Sequence, residues 1–221
     1  ELTQVRAAQH FDPFGGFYWD LVNRVQRRAS SPGMTSPEKC TPWWYYVTDY
    51  LTDAAFVWAI KPNETLEAWL RDAALSIARR PLADWIGPEF RDHTSSPPLG
   101  HLETAHMTWA LAVTLDLARG IFSTEEQAEL EEAIEYKGMV LCRNWLDRMT
   151  HMTNWRCILM AGYAIGTSVL NRKEALPYIV EQYQLCLHFL QPDGSYGESL
   201  QYGNYAITGM VMTREALIRY D

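Results

Sequence analysis

Three short stretches of this 221-residue chain gather side chains that can move or steer protons. The first holds His101, Glu103 and His106; the second His151, Asn154 and Arg156; the third Glu198, Tyr202 and Tyr205. Histidine and tyrosine can exchange protons with a reacting group, an asparagine amide can donate to developing negative charge, and a carboxylate can orient either. His101 and His106 are five apart, off one helical face, so no metal site is expected from them; Glu103 and His106, three apart, make a better pair. No cofactor is expected. Each residue also has a structural reading. Asn154 fits a plain helix cap, and Tyr202 and Tyr205 fit core aromatics with satisfied hydroxyls. Trp43, Trp44, Tyr45 and Tyr46 could stack on sugar rings or fill the core.

The elements that must position these groups read as helices. Thr41-Pro42 opens one, with Thr as cap and Pro at the first helical position, running to about Ile60. Others are expected at about 64–80, 102–119, from Ser123 with its capping-box partner Glu126, at about 154–170, from Asn171 with Glu174, and at about 198–219. Leu130, Ile134, Leu141, Trp145 and Met149 stripe the fourth; Leu176, Ile179, Tyr183, Leu187 and Leu190 stripe the sixth. No stretch alternates in the manner of a strand. Breaks fall at 30–42, 81–100 and 191–197, the last with the turn-forming run Pro192-Asp193-Gly194. Asn63-Glu64-Thr65 matches a glycosylation sequon but also reads as a helix start.

Charge divides the helices into two kinds. The first, third, fifth and seventh are poor in charge, whereas the second, fourth and sixth carry a charged face. A helix with one wet face lies outside and one that is apolar all round lies inside. The alternation predicts an all-α fold of helical hairpins, one helix of each pair inside and one outside: an open or incomplete α/α toroid over 43–221, preceded by a segment and linker over 1–42. A closed toroid of about six hairpins would need about 300 residues, so the domain is expected to continue in a longer protein. Heads of inner helices share one end of such a fold, which brings the three polar stretches to one rim. Glu198, Tyr202 and Tyr205 would lie within roughly a 60° arc, with Gly209 leaving that face open. Asn154, in the first turn of its helix, would meet an anion there.

Composition sets limits. Apolar residues at 48% and charged residues at 21% describe a packed domain. The net charge of −8 argues against a general nucleic-acid binder. Charge-free apolar runs fall short of the ~20 residues that span a bilayer, so no membrane span is expected. The start at Glu1, without Met or a signal-like segment, suggests a removed leader or a trimmed chain. Cys40, Cys142, Cys157 and Cys186 form no C-x-x-C pair, and the last three are expected as buried free thiols.

The run His101-Leu102-Glu103-Thr104-Ala105-His106, the run Asn154-Trp155-Arg156 followed by Ala161-Gly162-Tyr163, and above all Pro192-Asp193-Gly194-Ser195-Tyr196-Gly197-Glu198 with Tyr202 and Tyr205, resemble in order and separation the toroid of the heparinase II/III-like polysaccharide lyases, including relatives that cut alginate. The likeness covers roughly residues 43–213. It implies an α/α toroid, followed in the family by β-sandwich domains that nothing here encodes, a periplasmic or secreted location, and an anionic polysaccharide or oligosaccharide as partner. It implies β-elimination beside a uronate carboxylate. Asn154 matches the carboxylate-binding position, Tyr202 or Tyr205 the catalytic tyrosine, and Glu198 an acidic position; His106 is a weaker candidate for proton transfer. Arg156 or a rim histidine would support the tyrosine, and His101, Glu103, Trp155 and Trp44 are candidate substrate contacts. Trp155 stands where relatives carry a histidine. A basic rim drawn from Arg24, Arg27, Arg28, Arg143, Arg148 and Arg156 would reconcile a polyanion with the acidic chain.

Two other readings stay open. An inverting glycoside hydrolase needs two carboxylates about 6.5–9.5 Å apart, for which Glu198 with Glu103 or Asp53 would serve. A non-catalytic carbohydrate-binding domain would keep the aromatics without depending on either tyrosine.

Overall fold

The structure is a computed structural model, and it describes residues 2–29 and 43–220. The Thr41-Pro42 cap, the 30–42 break and Cys40 lie outside the described residues. The fold is all-α, and the described residues contain no strand beyond an isolated bridge between Leu190 and Tyr196. Helices α1 (Leu2–Ala8) and α2 (Phe14–Ala29) precede α3 (Trp43–Ile60), α4 (Glu64–Ala78), the short α5 (Leu82–Ile86) and α6 (Leu102–Ala118). Then come α7 (Thr124–Glu132), a π-helical segment (Ala133–Met139), α8 (Val140–Arg148), α9 (Asn154–Val169), α10 (Leu176–Leu187) and α11 (Leu200–Ile218).

The charge alternation matches the packing. The charge-poor helices form an inner layer in which α6 packs between α3 and α9, and α9 between α6 and α11; α4, α7–α8 and α10 lie behind them. The layer is parallel. Asn154 at the head of α9 bonds Glu198 just before α11, while at the other end Arg219 pairs with Asp116 at 3.1 Å and the Tyr220 hydroxyl donates to Thr167 O at 3.0 Å. This double layer is compatible with an α/α toroid. Close approach within it depends on small residues. A Cβ at Gly162 would fall 2.8 Å from Ala105 Cα, and one at Gly209 2.6 Å from the Cys157 carbonyl oxygen. Gly209 therefore serves the α9–α11 contact and does not open a binding face. Three buried threonines bond within their own helices: Thr108 to Thr104 O, Thr114 to Ala110 O and Thr213 to Gly209 O.

The expected helix starts were met in part. Ser123 and Glu126 form the capping box, and Asn63 caps α4 by accepting from Leu66 N–H, which favours the helix-start reading of that tripeptide. Asn171 does not open α10. It takes a left-handed φ of 55° after α9, and α10 begins at Leu176 with Pro177 in its first turn. Of the stripe expected on α10, Ile179 is buried, Leu176, Tyr183 and Leu190 are half-buried and Leu187 is exposed; Gln182 and Cys186 face inward instead. The π segment adds the ammonium of Lys137 to the open carbonyl end of α4, where it donates to Ala78 O at 2.7 Å and Arg80 O at 2.9 Å. The long 81–100 connection is tied down by Thr104 to Trp85 O, Asn144 to Pro98 O and Gly100 N–H to Leu141 O. The first 29 residues are more than a linker, because Tyr18, Val22 and Val25 of α2 are buried in the common core.

Candidate functional site

Helices α2, α3, α6 and α11 wall a cleft of about 540 Å³ towards the amino ends of the inner layer, lined among others by Arg24, Asp49, Asp53, His106, Trp109 and Tyr205. His106 and Tyr205 meet across it. Nε2 of His106 lies 2.7 Å from the Tyr205 hydroxyl, and the rings stack at 6.0 Å. Trp109, one turn further along α6, packs its ring 4.1 Å from the imidazole. On the other side Nδ1 of His106 is 3.9 Å from Asp49 Oδ1. Burial holds the His106 pKa down to about 3, so the ring is neutral at pH 7. A neutral imidazole has one N–H, and the Asp49 carboxylate favours it on Nδ1; Nε2 is then free to accept the tyrosine O–H.

Asp49 is itself perturbed. Desolvation, then the neighbouring Asp53 charge, push its pKa up to about 6 against the opposing pull of Arg24. Arg24 pairs with Asp53 at 2.6 Å and is half exposed. Of the six arginines proposed for a basic rim, Arg24 lines the cleft and Arg28 lies over the ring of the cleft residue Tyr50, 4.0 Å from its centroid. Arg143 pairs with Asp147 and stacks on Tyr178 elsewhere.

The second polar cluster differs in kind. Glu198 is not helical: Ser199 caps α11, accepting from Tyr202 N–H, so Glu198 precedes the cap and does not share a helix face with Tyr202 and Tyr205. Its carboxylate instead occupies the anion position at the head of α9. It accepts from Asn154 N–H at 2.8 Å, from the Asn154 amide at 3.0 and 3.1 Å, and from the Tyr196 hydroxyl at 2.9 Å. Desolvation raises the Glu198 pKa, but these bonds outweigh it and leave it below the ordinary range; Tyr196 is pushed up, by desolvation first and Glu198 second. Asn154 thus meets an anion as expected, but the anion belongs to the protein.

Arg156 is a correction. It is 4% exposed, and its guanidinium is used up on Met149 O, Leu146 O and Gln182 Oε1, so it ties α9 to α8 and α10 and cannot support the tyrosine. Glu103 is fully buried under Arg91, with Oε1 accepting at 2.7 and 3.0 Å, which anchors the 81–100 connection and removes Glu103 as a sugar contact or hydrolytic carboxylate. Tyr202 is 51% exposed and lines neither this cleft nor the rim around Glu198, so the geometry distinguishes Tyr205 from it. His101 and Trp155 make an edge contact at 5.6 Å on that rim. Trp44 lies in the first turn of α3, and its side chain is outside the described residues.

Sequence reasoning did not single out Asp49 or Trp109. A signal was present: Asp49 and Asp53 are the only charged positions on α3, four apart on an otherwise apolar inner helix, where an ionised group is costly without a task or a partner. Among the described residues no group of three or more His, Cys, Asp or Glu could hold a metal ion, and no helix is long and apolar enough to cross a membrane. No protein-family model matches the chain, and no curated protein matches it significantly.

Proposed function

We propose that this chain is a polysaccharide lyase, or the toroid portion of one, that cleaves a uronate polysaccharide by β-elimination with Tyr205 as the proton-transfer group. The observation that carries this reading is the 2.7 Å contact between Tyr205 and a neutral, buried His106 on the wall of an open cleft. The Tyr205 proton passes to Nε2, and the resulting imidazolium faces Asp49. The tyrosine oxygen takes the C5 proton, the electron pair forms the C4=C5 bond, and the C4–O4 bond breaks. The same hydroxyl then gives that proton to O4, and the imidazolium returns its own to the tyrosine oxygen, which restores the starting pair. Negative charge developing on the uronate carboxylate needs aimed donors. Asn154 is committed to Glu198, and Arg24, half exposed on the cleft wall, takes that role by exchanging its Asp53 partner for the uronate carboxylate. The resemblance adds a periplasmic or secreted location and a following β-sandwich.

Hydrolysis is the second reading, favoured by one observation: Asp49, held protonated up to about 6, faces the same cleft as Asp53 and could act as a general acid. The two readings part in one experiment. Alginate, glucuronan, heparan, hyaluronan and chondroitin are each incubated with the chain while ultraviolet absorbance and reducing ends are followed. The lyase gives both signals, because elimination leaves a conjugated double bond. Reducing ends without absorbance would replace elimination by hydrolysis.

A further inference from the structure

Arg24 and Arg28 stand one helical turn apart on the same face of α2, with about 6 Å of axial rise between them. Helix α2 runs against α3, so Arg24 meets Asp53 while the Arg28 guanidinium lies over the Tyr50 ring, 4.0 Å from its centroid. Asp53 and Tyr50 both line the Tyr205 cleft, which sets the two cations in succession along one wall of it. Their situations differ. Arg24 holds a carboxylate of the chain itself. Arg28 is half-buried and holds no carboxylate among the described residues. In a chain of net charge −8 that is unusual: Arg71, Arg79 and Arg119, all exposed, each pair with a glutamate. The Tyr50 ring steadies the guanidinium from its face, and a face contact consumes none of the N–H donors that lie in the guanidinium plane. Such a fork is completed by an anion from outside the chain, and its geometry suits a carboxylate.

We propose that Arg28 binds the carboxylate of the sugar ring next to the one whose carboxylate Arg24 takes, so that the cleft selects consecutive uronates over chains in which uronate alternates with an uncharged sugar. This rests on the proposed function for the course of the substrate along the Tyr205 cleft. Spacing carries the selection. An axial step of about 6 Å between the two positions is close to the length of one pyranose ring with its glycosidic bond and well short of two. In an alternating chain the ring that reaches Arg28 has no carboxylate. The guanidinium is then desolvated against a neutral ring with no ion pair in return, which penalises the wrong polymer as well as favouring the right one.

The test uses Tyr205→Phe, so that substrate is held and not cleaved, titrated calorimetrically with two tetrasaccharides that share one uronate. One is built of consecutive 1,4-linked glucuronates. The other is unsulfated chondroitin, in which glucuronate alternates with N-acetylgalactosamine. The consecutive glucuronate is expected to bind at least about tenfold more tightly, the scale of one charge-assisted hydrogen-bonded pair. Adding Arg28→Gln is expected to weaken it by about tenfold while the chondroitin affinity changes less than about twofold, and Arg28→Lys to restore only part of the loss. Arg148→Gln, an equal change of charge at an exposed position on α8, is expected to leave both affinities in place. The inference is overturned if the two tetrasaccharides bind equally, if neither binds, or if Arg28→Gln weakens both alike. Selective binding that depends on Arg28, in a chain whose native form yields no ultraviolet product from either polymer, would overturn elimination alone, which keeps the two failures apart.

Discussion

The Tyr205 cleft and the head of α9 contain similar chemistry arranged to opposite effect. At the head of α9 a carboxylate is surrounded by donors and its pKa falls. In the cleft the buried His106 imidazole and the Asp49 carboxylate beside Asp53 both shift towards their neutral forms. The first arrangement fixes the head of α9 to the segment that precedes α11. The second leaves proton affinities poised to change when a charged ligand arrives, which is where acid–base chemistry is expected. A matching list of residue types therefore does not identify a site; the degree to which they are satisfied does.

The comparison breaks most sharply at Tyr205. Tyr205→Phe is expected to lower the elimination rate by about 10³-fold or more with little change in stability, whereas Tyr202→Phe keeps most of it; initial ultraviolet rates decide between them. Equal loss in both variants would dissolve the distinction drawn between the two tyrosines. Arg156→Ala is next. It strips partners from buried carbonyls and from Gln182, so urea unfolding is expected to show a loss of about 3 kcal/mol while the rate per folded molecule is kept.

Glu198→Gln sharpens the contrast through pH. Because the folded-state pKa of Glu198 is depressed, its contribution is present above the ordinary carboxylate range and lost as pH falls through the lowered folded value. The variant is expected to lose about 1–2 kcal/mol at pH 7 and to show a shallower acid limb in stability against pH. Asp49→Asn carries the smallest effect, with the opposite sign. The stability linked to a raised carboxyl is fully present below the ordinary range and is lost as pH rises through about 6. Its side chain is 63% exposed, so solvent screens much of this, and the variant is expected to be slightly more stable at pH 7 in thermal unfolding.

The layer order was legible from charge alone, because an inner helix cannot afford solvated side chains on any face. The Ser123–Glu126 box was legible because both partners lie within one turn. What stayed hidden depends on partners distant in sequence. The local sequence around Arg156 does not show that its guanidinium would be enclosed by Leu146, Met149 and Gln182. Asn154 pointed to an anion at the head of its helix, yet nothing local said that the anion would arrive from position 198. The extra backbone residue that makes the 133–139 turn π-helical leaves the apolar stripe on either side intact, so periodicity passes over it.

The hydroxyls of Thr108, Thr114 and Thr213 each donate to a carbonyl one turn back in their own helix. Those bonds stay within one helix. Axial alignment between helices rests on the ties at the two ends of the layer and on the close backbone contacts at Gly162 and Gly209, which act as stops. The distance between the Tyr205 hydroxyl on α11 and the His106 ring on α6 is thus gauged through α9, a helix that carries neither group.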